Sequence, residues 1–144
     1  MKKYKAVYEI LGKGNVPGSV DNPLDFLSVA EEGVAAYAIH NFKQNFDLSL
    51  SGVASILATS EPTLYRRLKA NRKLPKNEAI KLLEVTDLFL YGEEVLGSRV
   101  DFFKWMELPN TALGGLRPME LTGVPEGVSK VADLLGRIEY GVYS

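Results

Sequence analysis

Seven cationic side chains crowd the stretch from Ser60 to Lys81: Arg66, Arg67, Lys69, Arg72, Lys73, Lys76 and Lys81, against the two carboxylates Glu61 and Glu78. That segment carries +5, so in a chain of formal charge −1 the remainder carries −6. Clustered cations neutralise phosphates, and duplex binding needs a local patch rather than a basic protein, so a pI near 5.9 does not oppose it. The residue types refine the expectation. Thr63, Tyr65, Arg66 and Lys69 are assigned to reading or steadying bases, and Arg72 and Lys73 to holding phosphates. A solvated basic face on an ordinary helical bundle is the alternative.

Other chemistry is poorly provided for. His40 is the only histidine and there is no cysteine, which leaves no triad, thiolate centre or metal cluster. His40 is therefore expected to be a partly buried structural residue. Gly12 to Gly18 (GKGNVPG) puts Pro17 where the dinucleotide fingerprint needs its third glycine, and no phosphate-loop pattern occurs. No enzymatic activity, cofactor or metal is expected.

The basic residues need elements to aim them. Leu50, Val53, Ala54 and Leu57 recur at helical spacing, and Ala58-Thr59-Ser60 breaks the pattern. Ser60 suits an N-cap, and is also placed among the DNA-facing residues. Pro62 fits the first turn of the second helix, and Leu64 and Leu68 point inward. Two short helices and a tight turn read as a helix-turn-helix, whose second helix enters the major groove.

At 144 residues and 46% apolar composition, the chain fits one domain or two small ones sharing a core. The absence of cysteine, of an eighteen-residue apolar run and of a signal-peptide pattern suits a soluble cytoplasmic protein with no membrane partner. Residues 1–24 read as an N-terminal extension without an assigned role, its Tyr4 to Leu11 stretch being a short strand or a helical turn. Residues 25–91 read as the helix-turn-helix domain. Asn22-Pro23 opens a long helical region, capped by Asp21 or Asn22, with an inward row at Val34, Ala38, Phe42 and Phe46. Lys76 to Tyr91 is a further helix, whose aliphatic surplus suits either a homodimer contact or a core.

Gly92 and Gly97 mark the boundary to a C-terminal domain, 92–144. Ser98 and Asp101 form a capped helix start, followed by Phe102, Phe103, Trp105 and Met106. Pro109-Asn110 ends that helix, and the pair Gly114-Gly115 permits a tight loop. Pro118 and Pro125 start two more helices. The last runs to about Tyr140, with Val128, Val131, Leu134, Leu135 and Ile138 inward and Gly141 as a left-handed cap. The tail Val142-Tyr143-Ser144 is shaped either to enter another protein's cleft or to fold back.

The run W-M-x-x-PN-x-ALGG-x-x-P, Trp105 to Pro118, and G-V-x-x-V-x-x-L-L-G-R-I-E-Y-G-V-Y, Gly127 to Tyr143, resemble the Xre/MbcA/ParS antitoxins. The resemblance runs from about Leu48 to the C-terminus, with departures at Met106 and Thr122-Gly123. It implies an all-α chain, with a helix-turn-helix DNA-binding domain followed by a small helical toxin-binding domain. It further implies the antitoxin of a type II pair, whose partner is a RES-domain toxin that depletes NAD. On this reading the antitoxin covers the toxin's active-site entrance with its C-terminal domain. It also represses its own operon at operator DNA, as a homodimer or a toxin–antitoxin hetero-oligomer. Arg137 and Glu139 are assigned to charge-assisted bonds with the toxin, and Tyr140, Val142, Tyr143 and Ser144 to its cleft. Arg137 has a second reading, as a partner for the free carbonyls of its helix. A stand-alone regulator, whose C-terminal domain dimerises or senses a ligand, is the rival function.

Overall fold

The structure, a computed structural model, describes residues 2–17, 22 and 24–141, with side chains from residue 5 onward. The expectations for Gly18, Asp21, Pro23, Val142, Tyr143 and Ser144 lie outside the described residues. Every named element among those described is helical, as expected of an all-α chain. The helices are α1 (Lys2–Leu11), α2 (Asp25–Glu32), α3 (Tyr37–Asn45), α4 (Leu50–Ile56), α5 (Glu61–Ala70), α6 (Lys76–Leu96), α7 (Arg99–Glu107), α8 (Pro118–Leu121) and α9 (Gly127–Glu139), with one 3-10 turn at Thr111–Leu113. The chain divides into two compact units, Met1–Asp87 and Leu88–Ser144, and the division falls inside α6.

In the first unit the N-terminal stretch is a helix, not a strand. Val7 and Leu11 are fully buried, and α1 packs on α3. The last carbonyls of a helix have no partner within it, and here asparagines supply one. Leu11 O accepts from Asn15 Nδ2 and Asn41 Nδ2, both at 2.9 Å, and Ile10 O accepts from Asn45 Nδ2 at 3.3 Å.

The long helix expected from Asn22 onward is two helices. Gly33, at φ 113°, ends α2, and the next residues pair with the stretch after α5. Ala36 N donates to Arg72 O at 2.9 Å and Leu74 N to Val34 O at 2.8 Å. The inward row is right although the helix is broken: Val34, Ala38, Phe42 and Phe46 are all buried. The aliphatic surplus of Lys76 to Tyr91 is core, since Ala79, Leu82, Leu83 and Val85 are buried in this unit and Leu88 and Phe89 in the second. It gives no support to a homodimer contact.

In the second unit Gly92 is interior to α6 rather than a boundary, because its missing Cβ makes room for the Phe102 ring. The break comes at Gly97, at φ 96°. Ser98 caps α7 as expected, accepting from Asp101 N at 3.1 Å. Phe102 lies edge-on to Phe89 and Phe103, with centroids 5.5 and 5.1 Å apart, while Val131, Leu134 and Leu135 bury the inner stripe of α9.

Candidate functional site

Ser49 caps α4 by accepting from Gly52 N at 2.9 Å. Residues 57–60 then turn the chain, with Ala58 in the left-handed region at φ 55° and Thr59 N donating back to Ala54 O at 2.9 Å. Ser60 opens α5: its Oγ accepts from Thr63 N at 3.3 Å and donates to Thr63 Oγ1 at 2.9 Å. Val53, Ala54, Ile56, Leu57 and Leu64 are buried, and α4 packs against α5. Tyr65, Arg66 and Lys69 stand exposed on α5.

Beside α5 lies a cleft of about 390 Å³, lined by Thr63, Arg66, Arg67, Ala70, Arg72, Lys73, Leu74 and Pro75. The structure brings four of the seven expected DNA-facing residues into it: Thr63, Arg66, Arg72 and Lys73. Tyr65 and Lys69 are not among its lining residues, and Ser60 is occupied as a cap.

The cations of the cleft differ in what they are free to do. Lys73 Nζ donates to Glu32 O at 2.9 Å, and its methylenes fill the space that a side chain at Gly33 would need. It holds the end of α2. Arg67, which the sequence reading counted but did not place in the site, forms a two-pronged pair with Glu78, at 2.8 and 2.7 Å. A carboxylate eleven residues away was its one available signal. Arg66 reaches Thr63 Oγ1 at 3.3 Å. Arg66, Lys69 and Arg72 are thus exposed with no ion pair among the described residues, and these three are equipped to meet an anion.

At the other end of the chain, α9 closes with Arg137 and Tyr140 exposed, Tyr140 to 77%. Glu139 is engaged: its carboxylate accepts from Tyr91 Oη at 2.7 Å. Burial first, then the bond to Glu139, pushes the Tyr91 hydroxyl up to about 12. Gly141, at φ 68°, takes the left-handed cap, its N–H donating to Ile138 O at 3.3 Å. Of the six residues expected to meet a toxin, Arg137 and Tyr140 project freely and Glu139 is held. The exposed leucines Leu108 and Leu116, outside the expected set, share the surface of this unit.

Residues 92–141 match the family described as the antitoxin Xre/MbcA/ParS C-terminal toxin-binding domain. The chain is also similar to the Prs ADP-ribosylating antitoxin of Sphingobium sp. (strain YBL2), 24% identical over 147 residues that cover 92% of each chain. A stretch of 50 residues, 35% of this chain, is 48% identical to 15% of 6-hydroxy-3-succinoylpyridine 3-monooxygenase HspA of Pseudomonas putida (strain DSM 28022 / S16). The matched stretch has the class of a toxin-binding domain. Residues 92–141 are thus similar to the C-terminal toxin-binding domain of the Xre/MbcA/ParS antitoxins, and a relative named as an antitoxin aligns along 92% of the chain.

Proposed function

We propose that this chain is an antitoxin that neutralises a RES-domain, NAD-depleting toxin by laying the end of α9 and the residues beyond it across the toxin's active-site entrance. The observation that carries the reading is that the matched domain ends in a well-packed helix whose last turn exposes Arg137 and Tyr140, directly before residues 142–144. An exposed aromatic on a rigid helix supplies contact area at low entropic cost. A relative that aligns over 92% of each chain is named an ADP-ribosylating antitoxin, and on our reading its toxin cleaves the nicotinamide bond of NAD and passes ADP-ribose either to water or to a protein. Both reactions need the same NAD cleft open, and one cover blocks both.

The same chain binds its operator through α5, as a homodimer or within the toxin complex. Arg66 and Lys69 approach the groove, and Arg72, supported by the pinned loop around Lys73, takes a backbone phosphate. Deleting residues 142–144 is expected to abolish protection of toxin-expressing cells while operator binding persists. Arg66→Ala is expected to weaken operator binding and to leave protection intact. Full protection by the truncated chain would remove the cover, and equal gel-shift affinity for Arg66→Ala would remove that residue from the DNA surface.

A further inference from the structure

The segment between α7 and α8 is an uncharged loop with two exposed leucines at its foot. Residues 108–116, LPNTALGGL, hold no ionisable side chain. Leu108 is 61% exposed and Leu116 46%. The backbone here is bonded to itself. Asn110 N donates to Leu116 O and Gly115 N to Asn110 O, both at 2.9 Å, and Asn110 Oδ1 accepts from Ala112 N at 3.0 Å. The consecutive positive φ angles of Gly114 and Gly115, 68° and 90°, turn the chain back so that these bonds close. Leu108 lies two residues before Asn110, roughly 7 Å along extended chain, so both leucines flank the foot of the loop.

Arg117 locks that foot. Its Nη1 donates to Glu107 at the end of α7, at 2.6 Å, and its Nε to Glu120 of α8, at 3.3 Å. Its backbone N–H donates to the same Glu120 carboxylate at 2.8 Å, which holds that carboxyl below its usual range.

We infer that this loop is a preformed apolar prong that docks in a non-polar depression on the toxin, separately from the tail. The inference rests on the toxin-neutralising reading. The loop lies within the residues that match a toxin-binding domain. Two exposed leucines next in sequence to the bonded Glu107–Arg117–Glu120 group put apolar surface beside a polar rim, as in a protein–protein contact. The loop's internal bonds leave little ordering cost to meet on binding. The exposed leucines have no counterpart in the core of their own unit, which closes through Phe102, Met106, Val131, Leu134 and Leu135.

The test is association of the full chain with the protein encoded beside it, carrying a silenced active site, measured by calorimetry or surface plasmon resonance. Leu108→Ser and Leu116→Ser are expected each to raise Kd about tenfold or more, with helicity unchanged by circular dichroism because both side chains are exposed. Gly115→Ala, which adds strain but meets no neighbouring atom, is expected to weaken binding without removing any contacting side chain. Wild-type affinity in both leucine variants overturns the prong while leaving the toxin reading in place. Loss of a homodimer with toxin affinity untouched also overturns it. Failure of the unaltered chain to associate with that protein overturns the toxin reading and the prong together.

Discussion

Gly92→Ala sets two effects of known size against each other. In the middle of α6, alanine is the better helix former by about 1 kcal/mol, so propensity alone predicts a gain. A Cβ at this position would stand 2.0 Å from Phe102 Cε1, 2.3 Å from Cδ1 and 2.7 Å from Cζ. Ordinary carbon contacts lie at about 3.5–4 Å, so ring and helix must part by roughly 1.5 Å. The ring has nowhere to go, being fully buried and edge-on to Phe89 and Phe103. Overpacking of this kind costs about 1–3 kcal/mol, and the size of the gap puts it near the upper end. The net expectation is a loss of about 1–2 kcal/mol, a fall in Tm of roughly 2–8 °C if the chain melts as one cooperative unit. Scanning calorimetry reads the shift, and near-ultraviolet circular dichroism follows the aromatic cluster. Phe102→Leu frees the space, so adding Gly92→Ala to it should cost little or stabilise. An unchanged or higher Tm for the single variant would refute the steric reasoning, as would an equal cost in both backgrounds.

Two other outcomes follow from local backbone and charge. Ala58 holds φ 55°, where L residues are strained, so Ala58→Gly is expected to raise stability by about 0.5–1 kcal/mol in urea titrations. Tyr91 ionises at about 12 in the folded chain and near 10 when unfolded. The unfolded form loses that proton first, so the contribution is complete below pH 10 and disappears as pH climbs through 12. Tyr91→Phe should flatten that part of the stability profile.

The sequence was most readable where a local pattern decides the structure. Ser60 and Ser98 cap their helices through bonds to residues only three positions on. The row Val34, Ala38, Phe42 and Phe46 lines the core because helical spacing selects a face. Reading failed where a distant partner decides. Spacing continued smoothly across Gly33, yet pairing with Arg72 and Leu74 ends the helix there. Gly92 looked like punctuation, but a ring ten residues on explains it. Lys73 has the composition of a phosphate ligand, while its ammonium rests on a carbonyl forty-one residues earlier. Charge counts do not reveal which cations are already engaged.

The asparagine ties at the end of α1 lead further than that helix. Asn15, whose side chain folds back on Leu11 O, also offers its carbonyl to Ala35 N at 2.9 Å. Ala35 sits between the two residues whose backbone bonds fasten the chain around Lys73. The opening residues, which carry no recognisable chemistry, therefore brace a basic loop half a chain away. A fragment trimmed to start at Leu48 would retain every arginine that faces the cleft and lose the splint that keeps them there.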